Sequence, residues 1–156
     1  MVALVGQPNT GKSTLTNLLV GQKVSIVSDK AQTTRHRVLG IATTDAYQMV
    51  IIDTPGVHKA HTHLGKVLNE TAQGSLEGAD VLIVMVDGSR KPDKNEEAIV
   101  GLLKLQGWIG ADGKARPNVI LCMNKMDLLK AEFVVQHVEA YRVLLGVGDE
   151  DYMLTT

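Results

Sequence analysis

Short apolar runs alternate along this chain with longer segments of helical period. Such alternation is typical of an α/β domain, in which buried strands are connected by amphipathic helices. Residues 81–86 are apolar throughout, as expected of a parallel strand that is covered on both faces. A tight turn at Thr44-Asp45-Ala46 predicts an antiparallel pair on either side of it. The predicted strands are residues 1–5, 38–44, 47–52, 81–86 and 119–123. Residues 152–156 are predicted to form part of a sixth strand.

Four segments carry residues at the spacing of one helix face. The first has Leu15, Leu18 and Leu19 on one face and ends at Gly21. Residues 107–117 are rich in glycine, and we interpret them as a surface loop without an assigned role. The other three helices are predicted from Leu64, Val67, Leu68, Thr71 and Ser75, from Ile99, Leu102 and Leu103, and from Val134, Val138, Tyr141 and Leu145.

Length and composition narrow the possible classes of protein. The chain has 156 residues, a length that is enough for one domain and too short for two. Of these residues 44% are apolar, as in an ordinary globular domain. A net charge of -1 excludes a globally basic nucleic-acid binder, and 3% aromatic residues argue against a base-stacking surface. The single cysteine, Cys122, excludes a disulfide within the chain and fits a reducing compartment.

The segment between the first strand and the first helix matches the phosphate-binding pattern GxxxxGK[ST]. In such a loop the backbone N–H groups point at phosphate oxygens, and the helix that follows adds its positive end. We expect Lys12 to contact the β- and γ-phosphates and Ser13 to ligate Mg²⁺. A chance match in a glycine-rich turn is the alternative, and the strand–loop–helix context argues against it. The predicted nucleotide-binding residues here are Gly6, Gln7, Pro8, Asn9, Thr10, Gly11, Lys12, Ser13 and Thr14.

A second polar motif, Asp53-Thr54-Pro55-Gly56, follows the apolar residues 49–52. A carboxylate at such a strand end can hold Mg²⁺ through its water shell, and Gly56 can offer its backbone N–H to a γ-phosphate. Taken alone, these four residues are good turn formers, and a plain turn would be the better interpretation. After a phosphate loop, we favour a nucleotide- and metal-binding role for this motif.

A third motif, Asn124-Lys125-Met126-Asp127, ends the predicted strand 119–123. The Asp127 carboxylate can accept two hydrogen bonds from the N1–H and amino group of guanine, which adenine cannot donate. A mismatched base would leave buried polar groups unpaired, and such sites reach a discrimination of about 10⁴ or more. If isolated, this motif would be better explained as a solvated turn that caps the next helix.

The three motifs occur in order, each at the carboxyl end of a separate apolar strand, which is the edge where open α/β sheets bind ligands. With this arrangement the whole chain resembles the translation-factor-related P-loop GTPases. We therefore expect an α/β P-loop NTPase fold of the Ras-like, three-layer kind, with a mostly parallel six-stranded sheet and one antiparallel strand. Three segments narrow the resemblance to the GTPase domain of the Era family, which acts in small-ribosomal-subunit assembly: Gly6-Gln7-Pro8-Asn9, Asp29-Lys30-Ala31-Gln32-Thr33-Thr34-Arg35-His36-Arg37-Val38-Leu39-Gly40 and Asp53-Thr54-Pro55-Gly56-Val57-His58.

This resemblance implies Mg²⁺-dependent binding of GTP and its hydrolysis to GDP. Residues 28–37 and 54–66 would change conformation as the γ-phosphate is lost. Thr34, with Thr33 as the alternative, would close onto the metal in the GTP state. The implied metal ligands are Ser13, Thr34 and Asp53. Asn124 and Lys125 would brace the base pocket and the phosphate loop, while Asp127 binds guanine.

The resemblance also implies slow intrinsic hydrolysis. Ras-like enzymes carry a water-orienting glutamine just after Asp-x-x-Gly, where this chain has Val57, and His58 is expected to point away from the γ-phosphate. In potassium-activated relatives a matching asparagine ligates K⁺, so Asn9 would do so here, next to the charge that develops between the phosphates. A turn-stabilising role for Asn9 is the alternative. The implied catalytic group is Lys12, Thr34, Gly56 and Asn9.

Era-family proteins carry two further features, a Ser-Ala loop after the last strand and a C-terminal KH domain that grips the 3′ end of small-subunit ribosomal RNA. Neither is found in residues 1–156, so we expect this GTPase domain to belong to a longer protein that reaches the small subunit and its rRNA through the missing part. The composition predicts a cytoplasmic location, and peripheral attachment to the inner membrane or an organelle stroma or matrix stays open.

Three rival functions stay open at this point: a switch that binds GTP with negligible turnover, another ribosome- or tRNA-related GTPase, and a P-loop kinase. The guanine motif and the lack of an arginine-rich lid argue against the kinase. A metal cluster of His58, His61 and His63 is disfavoured, because neither a cysteine nor a paired carboxylate lies near them in sequence. A small group of basic residues would contact RNA or a partner, or belong to an exposed loop: Lys30, Arg35, His36 and Arg37.

Overall fold

The computed structural model describes residues 1–27, 34, 36–58 and 63–156, with residues 63–65 described as backbone alone. Within these ranges, strands and helices alternate as the apolar pattern predicts. Two short 3₁₀ turns, Met126–Leu128 and Ala131–Phe133, precede the last helix. The elements are β1 (Val2–Val5), α1 (Lys12–Val20), β2 (Val38–Thr43), β3 (Gln48–Asp53), α2 (His63–Ser75), β4 (Val81–Asp87), α3 (Lys94–Leu105), β5 (Val119–Asn124), α4 (Val134–Leu145) and β6 (Tyr152–Leu154).

The strands form a six-stranded sheet in the order β2-β3-β1-β4-β5-β6. Strand β2 runs antiparallel to β3, and the other neighbours are parallel. The register pairs Leu4 with Asp53 and Asp87 with Asn124, so the carboxyl ends of β1, β3, β4 and β5 meet at one edge. The predicted fold, a mostly parallel sheet with one antiparallel strand, is confirmed.

Helices cover both faces of this sheet because strand side chains alternate in direction. On one face, α1 contributes Leu15 to a small cluster around Leu4 and Ile51. On the other face, α2, α3 and α4 contribute to the main core, where Leu103 and Tyr141 are among the buried side chains. Three layers result, with the sheet in the middle.

Two local expectations were wrong. Helix α1 does not bury a leucine face, since Leu18 is 75% exposed and the buried side chains of the helix are Lys12 and Thr16. These two face inward because the start of the helix lies at the sheet edge beside the phosphate loop. The glycine-rich residues 107–117 are more than a surface loop, because Trp108 and Ile109 are buried in the main core and Ile109 bridges to Ala115.

Candidate functional site

A cavity of about 470 Å³ lies at the carboxyl edge of the sheet. It is bordered by the phosphate loop (residues 6–14), by Asn124 and Lys125 of the Asn-Lys segment (residues 124–127), and by residues 34, 54 and 56. The structure therefore brings together the three motifs, which are far apart in sequence. The predicted site residues that line this cavity are Pro8, Asn9, Gly11, Lys12, Ser13, Thr14, Thr34, Thr54, Gly56, Asn124 and Lys125.

The phosphate loop is closed by its own atoms. Lys12 Nζ donates hydrogen bonds to the carbonyl oxygens of Gly6 at 3.1 Å and Gln7 at 2.7 Å, and the Thr10 hydroxyl donates to Gln7 O at 3.0 Å. Gly11 has a φ of 106°, and a Cβ atom there would lie 2.4 Å from Asn124 Nδ2. Glycine is therefore required at this position both for the backbone conformation and for the close approach.

The Lys12 ammonium is buried, with the residue 5% exposed. Burial lowers the pKa of Lys12 from 10.5 to about 8, although the nearby Asp53 charge raises it in part. The two carbonyls that Lys12 contacts are neutral and compensate poorly for the lost hydration. A buried cation held in this way is suited to an anion, and a phosphate group would stabilise its charged form.

Three oxygen-bearing side chains gather next to Lys12. The hydroxyls of Ser13 and Thr34 lie 3.1 Å apart. Asp53 is 0% exposed, and neither of its carboxylate oxygens has a hydrogen-bond partner among the described residues. An unpaired buried carboxylate is costly unless a cation or ordered water compensates it. Hydroxyl and carboxylate oxygens are the donors that Mg²⁺ prefers, so these residues fit a magnesium site.

Residues 54–58 connect β3 to the phosphate loop. The Thr54 hydroxyl donates to Leu4 O at 2.6 Å, and the Val57 N–H donates to Gly6 O at 3.0 Å. The Val57 side chain is 2% exposed and belongs to the main core. His58 is held through its backbone, since its carbonyl accepts a hydrogen bond from Asn69 Nδ2 at 2.8 Å. Val57 therefore contacts the phosphate loop through its backbone N–H, and its side chain does not line the cavity.

The Asn-Lys segment is held by contacts to distant parts of the chain. Asn124 Nδ2 donates to Thr10 O at 2.9 Å, and Asn124 Oδ1 accepts from the Thr155 hydroxyl at 3.0 Å. Lys125 Nζ donates to Asp87 Oδ2 at 3.0 Å. The part of the cavity lined by Asn124 and Lys125 is called the base side below. The Asn124 side chain ties this base side directly to the phosphate loop.

Some predicted residues lie behind the lining or outside it. Gly6, Gln7, Thr10 and Asp53 are buried and support the lining from behind, and Pro55 follows Thr54 in the connecting segment. Asp127 is exposed, lies in the 3₁₀ turn Met126–Leu128 and is not a lining residue in this structure.

Sequence reasoning missed three lining residues: Ile26, Val27 and Thr156. No motif marks them. The one usable signal in the sequence was the apolar pair Ile26 and Val27 in the segment after α1, and in the structure these side chains are 68% and 52% exposed. Thr156 follows β6, which pairs with β5, and its neighbour Thr155 bonds to Asn124.

Several predictions concern residues that the structure does not describe. Thr33 and the basic residues Lys30 and Arg35 fall in the gaps, as does His61. In the described part of the chain, no group of three or more His, Cys, Asp or Glu side chains is placed to hold a metal ion.

Comparison with known proteins finds relatives among the GTPases. The family model described as 50S ribosome-binding GTPase matches residues 1–125. The chain is 40% identical to the GTPase ERA-like, chloroplastic, of Arabidopsis thaliana over 95% of its own length and 33% of that protein. It is also 40% identical to GTPase Era of Geotalea daltonii over 90% of its own length and 44% of that protein.

A solved structure of Era, in complex with MgGDPNP and nucleotides 1506–1542 of 16S ribosomal RNA, superposes with a TM-score of 0.82 at 35% identity. It covers 99% of this chain, which in turn covers 50% of that protein. The chain therefore spans half or less of the length of the relatives it matches. These matches confirm the resemblance inferred from the three motifs.

Proposed function

Because the chain belongs to the 50S ribosome-binding GTPase family, we propose that it binds GTP with Mg²⁺ in this cavity, hydrolyses it to GDP and acts as a conformational switch. The observation that carries the proposal is that Lys12 and Asn124 line one cavity, with the unpaired Asp53 carboxylate buried behind the lining. The related Era structure was solved in complex with MgGDPNP, which supports the same ligand here.

The phosphate loop would bind the triphosphate with its backbone N–H groups and with Lys12. On binding, the Lys12 ammonium would exchange two carbonyl partners for phosphate oxygens, forming charge-assisted hydrogen bonds that are stronger. Ser13 and Thr34 would hold Mg²⁺ with their hydroxyls and Asp53 would hold it through water, and the ion supplies neutralisation of phosphate charge when bound. Gly56 would donate its N–H to the γ-phosphate.

The base side would select guanine. Asp127 would accept two hydrogen bonds from the base edge once it turns toward the cavity, while Asn124 and Lys125 frame the pocket. Because Asn124 also bonds to Thr10 O, base binding and phosphate binding would support each other.

We propose a low intrinsic rate of hydrolysis. The buried side chain of Val57 has no group that could orient a water molecule. Asn9 lines the cavity with a φ of 62°, and we propose that its side-chain carbonyl ligates a K⁺ ion beside the phosphates. The buried Val57 also favours the second candidate function, a GTP-gated interaction module with negligible turnover.

Single-turnover hydrolysis of γ-labelled GTP tests the proposal. The wild-type protein should release phosphate with Mg²⁺ and not with EDTA, and Ser13→Ala should reduce the rate about 100-fold by removing a metal ligand. Thr43→Ala removes an exposed hydroxyl on β2, far from the cavity, and should not change the rate. Tight GTP binding without phosphate release would favour the interaction module instead.

The relatives also support a proposal about biological context. We propose that the whole protein acts in small-subunit ribosome assembly, with rRNA contacts made outside residues 1–156, because the related Era structure is in complex with 16S rRNA.

We propose that the protein is located in the cytoplasm, with peripheral attachment to the inner membrane, or in an organelle like the chloroplastic relative. None of the helices in the described ranges is long and apolar enough to cross a membrane. Cell fractionation of the tagged full-length protein tests the location.

A further inference from the structure

The carboxyl end of β4 holds a buried carboxylate that the proposed reaction does not use. Asp87 is the last residue of β4, and its side chain is 9% exposed. Its Oδ2 accepts a hydrogen bond from Lys125 Nζ at 3.0 Å and lies 3.5 Å from Arg90 Nε. Its Oδ1 accepts from the backbone N–H of Ser89 at 3.2 Å and from the Ser89 hydroxyl at 2.5 Å. Every polar atom of this side chain is thus engaged.

The partner of this carboxylate belongs to the cavity. Lys125 lines the base side, its side chain is 33% exposed, and its backbone has a φ of 62°. A long side chain of this kind has many accessible rotamers, and holding one of them costs conformational entropy. The contact with Asp87 fixes the Lys125 side chain before a ligand arrives.

The backbone around Asp87 reinforces this arrangement. The Gly88 N–H donates to Asn124 O at 2.8 Å. A Cβ atom at Gly88 would lie 2.4 Å from Met126 Sδ and 3.3 Å from Asn124 O, so the missing side chain lets the end of β4 pack closely against the Asn-Lys segment.

Helix α4 anchors the same turn from the opposite side. The Tyr141 hydroxyl donates to Asp87 O at 3.2 Å, and His137 Nδ1 lies 2.8 Å from Gly88 O. Tyr141 and His137 are 1% and 6% exposed. The end of β4 is therefore a rigid base against which Lys125 is held.

The charges around Asp87 favour its pairing with Lys125. Burial alone would raise the pKa of Asp87, but hydrogen bonds from Ser89 and Lys125, together with the charges of Lys125 and Arg90, hold it below its ordinary value of 3.8. Asp87 is consequently ionised at neutral pH, and its contact with Lys125 is charge-assisted.

Given the proposed GTP binding, on which this step rests, we infer that Asp87 is a positioning residue for guanine-nucleotide binding. It acts through Lys125 and does not touch the ligand. Its function is to keep the lysine side chain along the base side of the cavity, so that the nucleotide does not have to order it.

A double-mutant cycle tests this inference. Asp87→Asn keeps the shape of the side chain and removes its charge, and it should weaken GDP binding, measured by calorimetry, about 10-fold. In a Lys125→Ala background the same change should alter GDP affinity less than about 2-fold, since the effect passes through Lys125. In GTP hydrolysis, Asp87→Asn should raise KM and leave kcat unchanged.

Controls separate positioning from a general loss of structure. Glu139→Gln removes an exposed carboxylate from the ion pair with Arg142 and should leave GDP affinity unchanged. If Asp87→Asn does not fold, Ser89→Ala removes one hydrogen bond to the carboxylate, retains its charge and should weaken GDP binding about 3-fold. Equal losses of affinity in both backgrounds, or a lower Tm with unchanged GDP affinity, would overturn the inference. Failure of the wild-type protein to bind GDP would overturn the proposed function and, with it, this inference.

Discussion

The phosphate side and the base side of the cavity are built in different ways. The phosphate side is built mainly from one run of nine residues, in which Lys12 bonds to Gly6 O and Gln7 O, with further contacts from Val57 and Asn124. On the base side, Asn124 and Lys125 are held by Thr10, Thr155 and Asp87, which lie 114, 31 and 38 positions away along the chain.

This difference indicates how each side should respond to mutation. A loop whose donors come from one run of residues can bind phosphate whichever base the nucleotide carries, because these donors are backbone N–H groups and one ammonium. A base pocket assembled from several segments depends on each of its supports. We therefore expect phosphate-side variants to lose all nucleotides alike and base-side variants to change which nucleotide is preferred.

The largest effect is expected on the phosphate side. Lys12→Ala should weaken GTP binding by about 4 kcal/mol, since the charged partner of two phosphates is lost. The fold should persist, because the variant removes a buried charge. In thermal denaturation, Mg²⁺ with GDP should stabilise the wild type and hardly affect the variant. Equal stabilisation of both proteins would contradict the assignment of the phosphate loop.

A smaller effect, of a different kind, is expected on the base side. Asp127→Asn replaces one carboxylate acceptor with an N–H donor that would face the amino group of guanine, so GTP should bind about 3 kcal/mol more weakly. Xanthosine triphosphate should bind the variant more tightly than it binds the wild type, because xanthine offers an acceptor where guanine has its amino group. Competition binding with both nucleotides checks the exchange, and a uniform loss for both would place Asp127 outside the base pocket.

The phosphate side also predicts a salt effect on catalysis. If Asn9 ligates K⁺, hydrolysis should be about 10-fold faster in potassium than in sodium at matched ionic strength, because the ion neutralises developing charge. Asn9→Ala should make the two rates equal. Indistinguishable rates in the wild-type protein would contradict the cation mechanism and favour a group supplied by a partner.

The smallest expected effect is a change in the number of protons taken up when GDP binds. The pKa of Lys12 is about 8 in the free protein, well below 10.5, so its burial destabilises the folded state below pH 8, and this cost is relieved as pH rises from about 8 to 10.5. Phosphate should restore the charge, so GDP binding at pH 9 should take up roughly one proton, and binding at pH 7 almost none. Calorimetry in buffers of different ionisation enthalpy measures the uptake. In Lys12→Met, titrated at GDP concentrations high enough to saturate it, this uptake should be absent, and its persistence would assign the proton to another group.

The contrast between the two sides also explains what the sequence could predict. The strands and the phosphate loop follow from local patterns, since each depends on consecutive residues. The contacts of Asp87 and Thr155 depend on how β4, β5 and β6 align, which no local pattern encodes. For the same reason, Trp108 looked like part of a surface loop, although tertiary packing buries it.

The selectivity for GTP over ATP, which carry the same triphosphate and differ in the base, tests most directly whether the base side selects the nucleotide. In competition against labelled GDP with Mg²⁺ present, GTP should displace the label at a concentration about 10³-fold or more below that of ATP, because only the base side distinguishes them. Comparable displacement by ATP would show that residues 124–127 do not select the base, and would contradict the division between a general phosphate side and a selective base side.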